Sequence, residues 1–250
     1  MYTAMKSRKT IPGKTLTAIA LALSMTTISS CANAGPDMKR ADVKEIIQEY
    51  LMENPEIIRE ALIELERKED AAAMAAVYDA IYKDPRDIAI GPKDAKVTIV
   101  EFFDYNCGYC KTSTDWVRET IDKHPEDVRV IFKELPILDG RSKTSKAASR
   151  AALAAGRQGK YSTMHFSLMK ERSLTKERIE IIAEKAGLDM KKFNKDIKDP
   201  AIDRQLDDAL ALASRIPDLT GTPFFMIGDE TISGANVNRL QQLLDDALKS

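Results

Sequence analysis

The chain has 250 residues, enough for one or two domains. Hydrophobic residues make up 44% and charged residues 31%, an ordinary mix for a soluble protein with a core. The formal net charge of −1 excludes a strongly basic nucleic-acid binder.

The first stretch reads as an export signal. Lys6, Arg8, Lys9 and Lys14 precede a charge-free run from Leu16 to Ile28. That run is too short for a spanning helix, which needs about 20 residues. Ala32-Asn33-Ala34 supplies an A-x-A cleavage site, so residues 1–34 are expected to leave and the mature chain to start near Gly35. Loss of four cations and no anions takes the charge from −1 to −5. Ile28-Ser29-Ser30-Cys31 also fits a lipobox. A soluble periplasmic protein is the expectation, and a lipid anchor at Cys31 is the alternative.

Residues 35–84 read as a separate helical segment. Asp42 with Glu45 three later fits a capping pattern, and Val43, Ile46, Ile47, Tyr50 and Leu51 recur at helical spacing. Asn54-Pro55 marks a second helix start. Its apolar positions Ile58, Leu62, Leu65, Ala72 and Ala76 form a short coiled-coil-like seam if Glu69 fills the gap. Arg59, Glu60, Glu64, Arg67 and Lys68 crowd the other faces. An apolar stripe must be buried. It can pack on the chain's own remaining domain or on other copies, and self-association as a stalk through residues 37–84 is the expectation.

Asp84-Pro85 and Gly91-Pro92 read as turns, and a domain of residues 85–250 begins there. Val97 to Phe103 is a buried strand, Asp104-Tyr105-Asn106 a loop, and Cys107 opens a helix to about Lys123. Val128 to Lys133 is a second strand, giving a parallel βαβ unit. Residues from about 142 to 215 are helical in pattern. Pro223 to Ile227 and Thr231 to Ser233 form a hairpin around Gly228-Asp229, and Val237 to Leu248 closes as a helix. The order predicts an α/β protein: a thioredoxin-like fold with a helical insertion, preceded by an N-terminal helical extension.

With Cys31 lost in the signal, only Cys107 and Cys110 remain. A single close pair suits chemistry more than stapling. C-x-x-C alone can bind zinc or do redox work. A structural zinc site needs four ligands, and His124 and His165 lack ligand spacing. No metal and no cofactor are expected. A helix N-terminus stabilises a thiolate, which makes Cys107 the expected nucleophile. Cys110, one turn in, is the expected resolving thiol. Gly108-Tyr109 contains no cation, so a less oxidising pair is expected than one with histidine there. Tyr105 and Tyr109 either form an apolar rim for clients or cover the helix end. His165 in Met164-His165-Phe166 is expected to be a packing residue.

The segment Glu101-Phe102-Phe103-Asp104-Tyr105-Asn106-Cys107-Gly108-Tyr109-Cys110 resembles the active site of the DsbA-like family of bacterial thioredoxin-fold proteins. Lys133-Glu134-Leu135-Pro136-Ile137-Leu138, Gly159-Lys160-Tyr161 and Gly221-Thr222-Pro223-Phe224-Phe225 extend the resemblance over roughly residues 88–248. The N-terminal helices resemble the extension of ScsC-type members, linked to oligomerisation, disulfide isomerisation and copper tolerance. The resemblance implies a cis proline at Pro223 beside the cysteines. Thr222, Pro223 and Tyr109 are then the expected substrate-binding residues, with the Thr222 backbone free to pair with an extended client. It also implies a buried acid at Glu101. Burial raises such a carboxyl's pKa and suits proton exchange with Cys110. Glu101 at an exposed strand end is the plain alternative.

The expected function is periplasmic thiol–disulfide exchange by an oxidoreductase, with isomerase or reductase favoured because a stalk gathers several sites around one client. A DsbA-like oxidase is the alternative, and a copper-binding or copper-tolerance factor is the alternative of another class. Expected partners are unfolded or misoxidised exported proteins and a DsbD-like or DsbB-like membrane partner. No nucleic acid is expected.

Overall fold

The structure is a computed structural model that describes residues 39–249. The signal, the lipobox and Cys31 lie outside the described residues. The described chain forms two compact units that divide between Pro55 and Glu56.

The described residues of the first unit form a single helix, α1 (Arg40–Glu53). Asp42 falls in its first turn, after the actual cap at Lys39, so it faces the positive helix end without capping it. Asn54 ends the helix, its side-chain amide donating to Tyr50 O at 2.8 Å. Val43, Ile46, Ile47 and Tyr50 are exposed.

The second unit holds α2 (Glu56–Tyr82), β1 (Ile88–Ile90), β2 (Val97–Phe103), α3 (Gly108–Lys123) and β3 (Val128–Glu134). A helical block follows: α4 (Asp139–Ser142), α5 (Ser145–Gly156), α6 (Tyr161–Lys170), α7 (Lys176–Lys185), α8 (Met190–Asp196) and α9 (Pro200–Ala213). The unit ends with β4 (Phe224–Ile227), β5 (Glu230–Ser233) and α10 (Val237–Lys249). The sheet order is β1-β3-β2-β4-β5; β2 and β3 run parallel and every other neighbouring pair is antiparallel. This is the thioredoxin-like fold with a helical insertion.

Successive strand residues face opposite sides of a sheet. Ile99 and Phe103 of β2, with Val130 and Phe132 of β3, therefore share one apolar cluster with α3, α10 and the insertion. Val100 and Phe102, with Ile131, share another with Val77 and Ile81 of α2 and Leu212 of α9. Both faces of the central strands are covered, which explains why apolar residues occupy successive positions there, Ile99-Val100 and Phe102-Phe103 in β2 and Val130-Ile131-Phe132 in β3. On α2 the buried positions are Val77 and Ile81; Ile58, Leu62 and Leu65 of the seam stay exposed. The helix is thus fastened at its C-terminal end only.

Three residues are too few for an alternation signal, so β1 was legible only as part of the turns around it. Gly91 follows it at φ +105°, and a Cβ there would meet Val128 O at 2.1 Å, so only glycine lets the chain pass β3 this closely. No helix among the described residues is long and apolar enough to cross a membrane.

Lys133 points to the α2 face and is 2% exposed. Its ammonium donates to Ala80 O in the last turn of α2 and to the Asp87 carboxylate ahead of β1. One buried cation thereby ties α2, β1 and β3 together. Removing one partner of such a pair leaves a buried charge unmatched. Lys133→Met is expected to lower unfolding stability by about 3 kcal/mol, measured by urea denaturation followed by circular dichroism.

Candidate active site

The site is built where β2 ends and α3 begins. Asp104, fully buried, turns the chain. Its Oδ1 accepts from Asn106 N and Ser145 Oγ, each at 2.7 Å, and its Oδ2 accepts from Leu138 N at 2.9 Å. The Asn106 amide donates to Thr144 Oγ1 at 3.1 Å and Ser145 Oγ at 3.0 Å. The loop is therefore locked to the start of α5 before the first cysteine is reached. The sequence places Asp104 and Asn106 only in a loop. The available signal was the tendency of Asp to hydrogen-bond the backbone two residues on.

Cys107 is the N-cap of α3, in extended backbone, and its sulfur accepts from Cys110 N at 3.4 Å. The thiol is 3.1 Å from Thr222 O, to which it donates while protonated. The Thr222-Pro223 peptide bond is cis. Cys107, Cys110, Thr222 and Pro223 are thus brought together from opposite ends of the domain. Both cysteines are free thiols.

The two sulfurs differ in environment. The hydrogen bond from the Cys110 thiol, then those from the Thr222 side chain and the Cys110 and Tyr109 amides, outweigh burial and pull Cys107 down to about 6. The Thr222 carbonyl favours the protonated thiol, but the donors to the sulfur outnumber it. Cys110 is fully buried. Burial, and then the Cys107 sulfur beside it, push its thiol well above the usual range. One thiol is ready as a thiolate near neutral pH, and the other keeps its proton.

Glu101 is 1% exposed, between Phe132 of β3 and Phe225 of β4. Its Oε1 has no hydrogen-bond partner. Burial, then the Cys107 and Glu134 charges, raise it to about 8. Tyr109 is 70% exposed and stands out from the helix start. Tyr105 is fully buried, so it forms no rim. His165 is buried and stacked on Tyr161 at 5.5 Å, a packing position. Trp116 packs edge-on to Phe225 and donates to Gln241 Oε1 at 2.9 Å.

Lys111, next to Cys110, donates its ammonium to Glu171 O at the end of α6, pinning the active-site helix to the insertion. Among the described residues, no three His, Cys, Asp or Glu side chains gather as a metal site. Cys107 and Cys110 are the soft ligands on offer.

Residues 98–247 match the family described as DSBA-like thioredoxin domain. Residues 40–72 match the copper resistance protein ScsC N-terminal domain. A thioredoxin-like oxidoreductase from Silicibacter pomeroyi DSS-3 is 35% identical, with a TM-score of 0.61, over 69% of this chain and 98% of that one. A linker-deletion mutant of Proteus mirabilis ScsC is 30% identical, with a TM-score of 0.68, over 86% and 99%. Among curated proteins, a Na(+)/H(+) antiporter NhaA of Herminiimonas arsenicoxydans is 28% identical over 150 residues, which is 58% of this chain and 23% of that protein. The chain spans about a quarter of the length of the curated relatives it matches.

The contrast between the sulfurs is directly measurable. Alkylation by iodoacetamide is expected at Cys107 alone, with a rate that rises through a midpoint near pH 6 as the thiol ionises. Mass mapping of the labelled cysteine across pH checks both points.

Proposed function

This chain belongs to the DSBA-like thioredoxin domain family, and on that premise we propose that it is a thiol–disulfide oxidoreductase acting on exported proteins in the bacterial periplasm. The observation that carries this reading is the asymmetric pair: a Cys107 thiol drawn down to about 6 beside the cis Thr222-Pro223 bond, with buried Cys110 behind it. The basic, then apolar, then A-x-A start of the sequence supports export.

In this reading Cys107 is the nucleophile. Its thiolate attacks one sulfur of a client disulfide, a mixed disulfide forms, and the other client sulfur leaves as a thiolate. Two exits follow. A second client thiol can attack the client sulfur of the mixed disulfide, which frees Cys107 and leaves the client with a rearranged bond. Alternatively Cys110 gives its proton to the Glu101 carboxylate and attacks Cys107. The client sulfur then leaves reduced, and the Cys107–Cys110 disulfide remains. Thr222 and Pro223 flank the attacking sulfur, and exposed Tyr109 offers the client an apolar contact.

Isomerase or reductase work is our preferred direction, with a DsbD-like membrane partner returning the electrons. Support comes from the exposed apolar residues Val43, Ile46, Ile47 and Tyr50 of α1 and, separately, Ile58, Leu62 and Leu65 of α2. Helices with uncovered apolar faces associate, and copies joined through residues 37–84 bring several dithiols to one client. A specific observation favours the second reading, an oxidase recharged by a DsbB-like partner. The depressed Cys107 stabilises the reduced pair, which strengthens it as an oxidant.

Two measurements test these proposals. Scrambled multi-disulfide substrate is expected to regain activity faster with the reduced protein than without it; fast oxidation of a reduced substrate without reshuffling would make this an oxidase. Light scattering is expected to give a multiple of the mature mass for residues 35–250 and a single copy for residues 70–250, which lack these exposed apolar residues but keep Val77, Ala80 and Ile81. A single copy for both would remove the stalk.

A further inference from the structure

Two acids share one face of the sheet without a cation. Glu101 of β2 and Glu134 of β3 lie on the side that also carries Phe103 and Phe132. Glu101 pairs in register with Phe132 and Phe103 with Glu134, so the acids sit diagonally on neighbouring strands. Glu134 is 3% exposed. Lys133 faces the other way and is held by Ala80 O and Asp87. The partners of Glu134 Oε1 are phenols, and Glu101 Oε1 and Glu134 Oε2 have none.

Glu134 is also the hub of a buried network. Tyr105 Oη donates to Glu134 Oε1 at 2.9 Å and Tyr161 Oη donates at 2.8 Å. Tyr105 Oη is 3.0 Å from His165 Nδ1. A phenol has one proton. With that of Tyr105 given to Glu134, the hydrogen between Tyr105 and His165 belongs to Nδ1. The Ser149 hydroxyl lies beside the carboxyl, outside hydrogen-bonding geometry. The network joins three elements: the cysteine loop through Tyr105, two residues before Cys107, the end of β3 through Glu134, and α6 through Tyr161 and His165.

The groups facing these acids supply no positive charge. Burial drops His165 to about 3, so the imidazole stays neutral. Burial lifts Tyr105 and Tyr161 well above the usual phenol range. Burial, assisted by the Asp104 charge, raises Glu134 to about 8 against the pull of the Ser149, Tyr161 and Tyr105 hydroxyls. The remaining charged neighbour of Glu101 is the Cys107 thiolate. Like charges on one apolar face disfavour simultaneous ionisation.

We propose that Glu134 is a positioning residue of the thiol-exchange site: it anchors the cysteine loop through Tyr105 and, by like-charge repulsion, sets how readily Glu101 takes the Cys110 proton. The inference rests on the roles proposed above for Cys107, Cys110 and Glu101. When Cys110 attacks the mixed disulfide, its proton must pass to the Glu101 carboxylate as the client thiolate leaves. An ionised Glu134 keeps Glu101 protonated and holds that step back. A neutral Glu134 releases it.

The test uses the reduced full chain and dithiobis(nitrobenzoate) in stopped flow. The first release of thionitrobenzoate reports attack by Cys107, and the second reports its displacement by Cys110. Glu134→Gln keeps an acceptor for both phenols and removes the charge. It is expected to leave the first phase unchanged. The pH midpoint of the second phase should fall by roughly half a unit, with the gain in rate largest near pH 8, where Glu134 of the wild type ionises, and absent well below it. In a Glu101→Gln background the same substitution should shift nothing. Tyr161→Phe, which withdraws one donor from the Glu134 anion, should give a smaller shift of the same sign and serves if Glu134→Gln fails to fold. An unmoved second-phase midpoint in a variant with wild-type melting, or a shift that persists without Glu101, overturns the inference alone. A single phase in the wild type overturns the role of Cys110, and this inference with it.

Discussion

Cys107 must serve as the cap of a helix, and the site depends on that constraint. A helix N-terminus presents amide hydrogens without partners. Here the partner is a sulfur, which the Cys110 amide and the Cys110 and Thr222 side chains draw toward its charged form. The sulfur can hold that place only if the preceding turn is fixed. Asp104 fixes it by gathering three donors from the loop, from the start of α5 and from Leu138. The chemistry of one thiol is therefore maintained by a carboxylate that never reaches it.

The sheet divides its charges between two faces. On the α2 side, Lys133 finds Asp87 and the Ala80 carbonyl, so a buried cation is matched and an N-terminal helix end is held. On the cysteine side, Glu101 and Glu134 have no cation, and burial keeps both acids near pH 8. The first face is anchored by neutralised charge. The second is left able to exchange protons at physiological pH, the property that a dithiol site with one strongly acidic and one weakly acidic thiol requires.

The N-terminal helices stand in contrast to this order. α2 buries Val77 and Ile81 against the sheet and exposes Ile58, Leu62, Ile63 and Leu65 of its first half. α1 buries no residue fully and exposes Val43, Ile46, Ile47, Tyr50 and Met52. These exposed residues are the surface on which the proposed self-association rests.

How much of this was legible in the sequence follows from the range of the interactions. Strand, turn and helix signals are local, so Val97 to Phe103, the helix opening at Cys107 and the strand at Val128 could be read from neighbouring residues. Cysteine spacing at a strand-to-helix junction is local as well, and it points to redox chemistry without reference to the fold. β1 escaped because three residues carry no periodicity. The inside of the site was different. That Thr222 O lies 3.1 Å from Cys107, that Lys133 faces away from Glu101, and that Tyr105 is buried on Glu134 all depend on residues 29 to 115 positions apart. The sequence by itself determined the longer elements and the place of the C-x-x-C pair at a strand-to-helix junction, because those rest on contacts a few residues long. The tertiary structure alone decided which acids meet, which cation is absent and which sulfur keeps its proton, because burial and charge act through space.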